Sequence, residues 1–321
     1  MTGPMTDDER TRFVRYTRPE RWPLLDRFPV SGELHDRILA EILVDSTDEV
    51  RRRRHGLRSR AHDGAATLLA DPAYQAALRR LPFHGGDRVA ALGDSLTADR
   101  LGWFELLTHT MRLAGYPGVA THNLGLSGDT TADALERFDL LEAFRPTHVL
   151  VLLGTNDARR HGRSTDHRMV TPSETQRNLR VLDDLIRGTL HARAVFITPP
   201  PGDQASIDRS FAGETVRWAA AELDAVAAQV RDVAVDHIDL HRVLRRQPDR
   251  TWLDPDGVHL SAYGQRLTAA TIAAGLSRST TAGRSVDAAD DREFGDGRDA
   301  GGAGHPGDAV DAAAGPTAAA D

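Results

Sequence analysis

Five short apolar runs, Val89–Leu92, Val119–Asn123, His148–Leu153, Ala194–Thr198 and Val233–Ile238, punctuate the chain. Between them apolar residues recur at helical spacing near Ala98–Leu113, Thr131–Phe144, Ser173–Leu190 and Phe211–Val230, with Ser173 placed to cap its helix. Apolar runs of this length read as strands covered on both faces, and strands alternating with helices read as crossover units. The pattern predicts the α/β class, with a five-stranded parallel sheet and a last helix over Ala262–Ala274 that closes the domain.

Ahead of the first strand the period is helical. Leu34, Ile38 and Ile42 recur with Leu39 and Leu43 behind a capping Ser31. Ser46-Thr-Asp-Glu has the form of a capping box with Glu49 reaching back, and Asp71-Pro72 that of another helix start. Residues 1–84 are therefore expected to form an irregular polar arm, through Pro23, followed by a helical extension. Beyond Leu276 large apolar residues almost vanish, so 277–321 is expected to be a disordered Ala/Gly/Asp-rich tail and 85–276 the α/β domain.

Composition narrows the possible chemistry. None of the 321 residues is cysteine, which excludes disulfides, thiolate metal sites and a cysteine nucleophile. The tail from Ser277 holds nine acids against four arginines and so most of the net charge of −7. Every basic residue other than histidine is arginine. The arginines are dispersed among acids, and even the run Arg51–Arg54 with His55 points all around a helix axis, so no nucleic-acid partner is expected. No stretch approaches the ~20 apolar residues of a membrane span, and the charged Met1–Arg15 lacks a signal-peptide core. A cytoplasmic protein is the expectation.

The first strand ends abruptly in Gly93-Asp94-Ser95-Leu96, which delivers a hydroxyl to the carboxyl end of a sheet, where open α/β sheets place their sites. Three later segments could converge there: Asn123–Thr130, Gly154–Asp157 and Asp256–His259. A serine needs a base, and the base needs a group that fixes its tautomer. His259 and Asp256, three residues apart, supply both on one turn. Asp254 is the competing acid, but Pro255 after it favours an extended conformation that directs its side chain away.

These four segments, in this order, resemble the sequence blocks of the SGNH (GDSL) hydrolase superfamily over roughly Arg88–Leu276. The resemblance implies a three-layer α/β/α sandwich of flavodoxin-like kind and a serine ester hydrolase with Ser95, Asp256 and His259 as catalytic residues. It also assigns an oxyanion hole to the backbone N–H groups of Ser95 and Gly128 and the side-chain amide of Asn156. Glycine lets the main chain approach a substrate closely, and an Asn side chain donates without adding charge. No cofactor and no metal are expected. The partner is a small-molecule, lipid or sugar ester, and the oligomeric state is left open. An acyltransferase of the same fold and a non-catalytic binding module are the alternatives.

Other features fall around this scheme. Asp94, Ser127, Asp129 and Asp157 are expected to be structural, bonding backbone amides near tight turns. Thr198-Pro-Pro-Pro is expected to shape a wall. Arginines and histidines crowd Ala158–Arg168 beside the site; a basic rim there would favour anionic substrates, but a charged mobile loop that is simply solvated is the plainer reading. The α/β-hydrolase alternative fails because no Gly-x-Ser-x-Gly elbow is present. The alternation His237, Asp239, His241 leaves a metal site as a minor possibility.

Overall fold

The computed structural model describes residues 5–116 and 118–287. Eight strands are found among them: β1 (Arg88–Gly93), β2 (Ala120–Gly125), β3 (His148–Leu152), β4 (Arg159–His161), β5 (Ser164–Arg168), β6 (Arg193–Ile197), β7 (Val216–Trp218) and β8 (His237–Ile238). Five of them form a parallel sheet in the order β2-β1-β3-β6-β8. Alternate residues along each central strand feed two separate cores. Val89, Ala91, Leu150, Leu152, Val195 and Ile197 face one, with Trp103, Leu107, Ile272 and Leu276. Ala90, Leu92, Val149, Val151, Ala194 and Phe196 face the other, with Leu141, Leu179 and Val230. Helices thus cover both faces, giving the three-layer α/β/α sandwich. The sheet order reverses at β1, so the crevice of the fold opens beyond the ends of β1, β2 and β3.

Six expected elements differ. Thr131–Phe144 breaks at Arg137 into two helices, and the helix expected at Phe211–Val230 begins only at Ala220, behind β7. The strand expected at Val233–Ile238 is only His237–Ile238, because the helix before it runs Ala220–Val233 and its last turn takes the first apolar residues. Ala98–Leu113 breaks into Ser95–Ala98 and Trp103–Leu113, where the Asp99 carboxylate accepts from the Leu101 N–H at 2.8 Å. Thr171, not Ser173, caps the helix Pro172–Asp184. The closing helix runs Ala262–Asp287, past Ala274; the remainder of the tail lies outside the described residues.

The largest departure is in the expected irregular arm, which contains the helix α1 (Asp7–Tyr16). Thr6 and Glu9 cap it reciprocally, and the acids Asp7, Asp8 and Glu9 favour its N-terminus. Apolar periodicity misses this helix because its inward face is mostly charged, with Val14 its one buried residue. Ser31, Ser46 and Asp71 cap the next helices, Gly32–Leu43, Thr47–Leu69 and Pro72–Leu78, as the sequence predicts. In the first of these Leu39 and Leu43 are buried while Ile42 is exposed, so the inward face is rotated from Leu34-Ile38-Ile42. Leu68, Tyr74, Leu78, Leu81 and Phe83 share one buried cluster with β1 and the Trp103–Leu113 helix, and the Tyr74 hydroxyl meets that of Thr110 at 2.8 Å. The arginine run is absorbed by acids: Arg51 and Arg54 pair with Asp36, Arg52 with Glu49, and buried Arg53 with Asp7, Asp45 and Glu49. No helix among the described residues is long and apolar enough to cross a membrane.

Candidate active site

Ser95 opens the short helix after β1 and is 9% exposed. The helix sits hard against β2: a Cβ on Gly125 would lie 2.3 Å from the backbone nitrogen of Ala98, so only glycine permits the approach. His259 Nε2 lies 3.0 Å from Ser95 Oγ, and His259 Nδ1 lies 2.8 Å from Asp256 Oδ2. An ionised carboxylate only accepts, so Nδ1 carries the proton and donates to Asp256, which leaves Nε2 free to accept from the Ser95 hydroxyl.

Asp256 is held on all sides. Its Oδ1 accepts from the backbone N–H groups of Val258 and His259 at 3.0 and 2.9 Å. Burial pushes the carboxyl up, but the His259 ring and these N–H groups outweigh it and keep the group far below the usual carboxylate range. Asp254 takes a different place, as the sequence predicts. Its N–H donates to the His259 carbonyl, while its carboxylate stands 3.7 Å from both Arg12 and Arg15.

Gly128 and Asn156 line the same cleft, of about 240 Å3, as Ser95 and His259. Gly128 has φ +95°, in the left-handed region that favours glycine. Asn156 Nδ2 donates to the Asp129 carbonyl at 2.9 Å with one of its two hydrogens. Among the described residues, the backbone N–H groups of Ser95 and Gly128 have no intramolecular acceptor. Donors of these three residues are of the kind that can receive an oxygen that becomes negative.

The accompanying acids are structural. Asp94 accepts from the Leu96 N–H, Asp157 from the Thr131 N–H and hydroxyl, and Asp129 pairs with buried Arg137. Burial raises Asp94 to about 7 and Asp129 to about 6. Ser127 Oγ donates to the carbonyl of Tyr16, the last residue of α1.

Two walls were not visible in the sequence. The expected mobile loop Ala158–Arg168 is ordered as β4 and β5, joined antiparallel to β7 in a second sheet. That sheet sets Trp218 against the cleft, its indole N–H donating to the Thr155 carbonyl at 2.8 Å. Three of its arginines are engaged by the protein itself. Arg159 turns inward and donates to the carbonyls of Asn156 and Gly128, at 3.1 and 3.0 Å, while Arg160 and Arg168 meet Glu222.

The other wall is α1. Its Tyr16 ring lies 5.0 Å from the His259 ring, centroid to centroid, and Arg12 Nη2 donates to Asp256 Oδ2 at 2.5 Å. Arg15 forks onto Asp99 at 2.7 and 2.6 Å, which fastens the helix beside the Ser95 turn. The Thr198-Pro-Pro-Pro segment expected as a wall does not line the cleft; Thr198 instead accepts from the His241 N–H. Asp239 holds Arg231 and His241 meets Asp224, so the triplet His237, Asp239, His241 does not converge on one point.

Comparison with known proteins agrees with this architecture. A lipase/acylhydrolase from Enterococcus faecalis superimposes over 60% of this chain and 96% of its own, with TM-score 0.51 and 25% identity. An acetylxylan esterase from Geobacillus stearothermophilus, a catalytic mutant, covers 60% of this chain and 95% of its own at TM-score 0.47 and 21% identity. No curated protein sequence matches the chain. Residues 91–267, more than half of the polypeptide, match a family described as GDSL-like lipase/acylhydrolase. With that span running from inside β1 to just past His259, the chain belongs to the GDSL-like lipase/acylhydrolase family.

Proposed function

We propose that the protein is a serine esterase that cleaves small, uncharged carboxylic esters through an acyl-enzyme on Ser95. The observation that carries this reading is the continuous relay Ser95–His259–Asp256, at 3.0 and 2.8 Å, opening on a cleft that Gly128 and Asn156 also line. Ser95 Oγ bonds to the ester carbon as its proton passes to His259 Nε2. The carbonyl oxygen takes the negative charge among the N–H groups of Ser95 and Gly128 and the Asn156 amide. Collapse breaks the bond to the alkoxide oxygen, which receives the proton from His259. Water then adds to the acyl-enzyme, gives a proton to His259 and releases the acid, and that proton returns to Ser95. His259 takes up and returns the proton in each half of this cycle.

The cleft favours a small neutral substrate for two reasons. Its volume of about 240 Å3 falls below the ~300–1,000 Å3 typical of sites that enclose drug-sized ligands. The two guanidinium groups on its lining, Arg12 and Arg159, are already engaged by carboxylates and by carbonyls. A panel of p-nitrophenyl esters tests this. The acetate and butyrate should exceed the dodecanoate in kcat/KM by at least ~10-fold, equivalent to ~1.4 kcal/mol, and lysophospholipids should be poor substrates. A preference for the long or anionic esters would refute this substrate class.

Arg159 gives a second expectation. Its side chain ties together the carbonyls of the two residues, Gly128 and Asn156, that supply oxyanion donors. Arg159→Ala should lower kcat by about tenfold or more, less than the ~10²–10³ of losing a donor outright, with KM nearly unchanged. Steady-state kinetics separate this from a binding role, which would raise KM alone.

A further inference from the structure

The contact between Arg12 and Asp256 joins the N-terminal helix to the acid of the relay, across 244 residues of sequence. We infer that Arg12 is a positioning and charge-tuning residue of the active site: it shares Asp256 Oδ2 with His259 Nδ1 and so sets how strongly that carboxylate draws positive charge onto the ring. The inference rests on the serine-esterase reading above.

Asp256 Oδ1 is already fixed by two backbone N–H groups, so the orientation of the carboxylate does not depend on Arg12 alone. Oδ2 is shared by Arg12 Nη2 and His259 Nδ1. A carboxylate flanked by one cation attracts a second positive charge less than an unpaired one does. Arg12 therefore opposes protonation of His259 before substrate arrives. Its neighbours narrow the assignment. Around the Asp256–His259 turn stand Asp254 on the same segment, Asp94 on the Ser95 turn, and Arg12, Arg15 and Tyr16 on α1. Arg15 is committed to Asp99, and burial raises the Tyr16 phenol well above its ordinary range and keeps it neutral. Arg12 alone among these cations bonds the carboxylate that His259 uses.

The Arg12 side chain is 47% exposed, so solvent moderates its field. Replacing it by an uncharged residue should move the acid limb of the kcat/KM profile to higher pH by roughly 0.3–1 unit. The experiment compares wild type, Arg12→Gln and Arg12→Lys on p-nitrophenyl acetate from pH 4.5 to 9, with thermal melting of each. Arg12→Lys keeps the charge without the fork and should hold the wild-type limb. Should Arg12→Gln fail to fold, the lysine variant decides: a limb that stays supports charge balance, and a limb that shifts overturns it. Superimposable limbs for wild type and a folded Arg12→Gln would also overturn the inference. Fluorophosphonate labelling of wild type separates the two levels, because absence of labelling at Ser95 defeats the esterase reading itself, whereas labelling with unchanged limbs defeats only the role of Arg12.

Discussion

Ser95→Ala is expected to reduce ester turnover by ~10⁴-fold or more while leaving the melting temperature within a degree or two of wild type. The size of the loss follows from the division of labour in the cleft. Without Oγ no acyl-enzyme forms, and what remains is the weak assistance that His259 and the oxyanion donors give to direct attack by water. The small effect on stability follows from what the hydroxyl touches. Its hydrogen bond is to His259, at the cleft, and alanine retains the helical backbone of the turn after β1. Turnover above a few per cent of wild type in the purified variant would show that another nucleophile does the work. A fall in melting temperature of ten degrees would show that Ser95 holds the fold.

The second large effect is expected at Asp256. Every partner of its carboxylate is a donor: the N–H groups of Val258 and His259 on Oδ1, and Arg12 with His259 Nδ1 on Oδ2. An asparagine amide must turn its own donor toward one of these pairs. Facing His259, it reverses the tautomer and leaves Nε2 protonated against Ser95. Facing the backbone, it breaks the turn that positions the ring. Asp256→Asn should therefore lose at least ~10² in kcat, within the up to ~10⁴ that the wrong tautomer costs a serine protease. Asp254→Asn should lose less than ~10-fold, because Asp254 meets His259 only through its own N–H and faces arginines with its carboxylate. Steady-state kinetics on both purified variants decide the matter, and greater damage at Asp254 would overturn the assignment of the acid.

The sequence and the structure agree where information is local. Each strand of the central sheet lies on or within a few residues of its apolar run, the last one shortened, and the glycine, acid and serine that end β1 sit where the run predicts. Asp256 and His259 could be paired from their spacing because one turn holds both. Agreement fails where the partner is remote. β4 pairs with β7 some fifty residues further on, and nothing in Arg159–His161 announces that; the residues look like a solvated charged loop until Val216–Trp218 is laid beside them. The same holds for α1, whose inward face is written in arginines. Its capping box, Thr6 to Glu9, was a legible signal, but the positions that dock it, Arg12 and Arg15, gain meaning only beside Asp256 and Asp99. The fifth strand is shorter than its apolar run for a local cause, since the helix before it takes Val233.

The span between α1 and its partners also sets an order of events during synthesis. At ~5–20 residues per second, the 244 residues from Arg12 to Asp256 take on the order of ten to fifty seconds to emerge. A ten-residue helix with so little apolar surface is barely stable by itself in water, so α1 is made well before Asp256 and settles only once its partners have followed. Ser95 likewise precedes its base by 164 residues. A nascent chain therefore carries Ser95 for some time with neither His259 nor α1 in place, and both contacts can close only after the Asp256–His259 turn has left the ribosome.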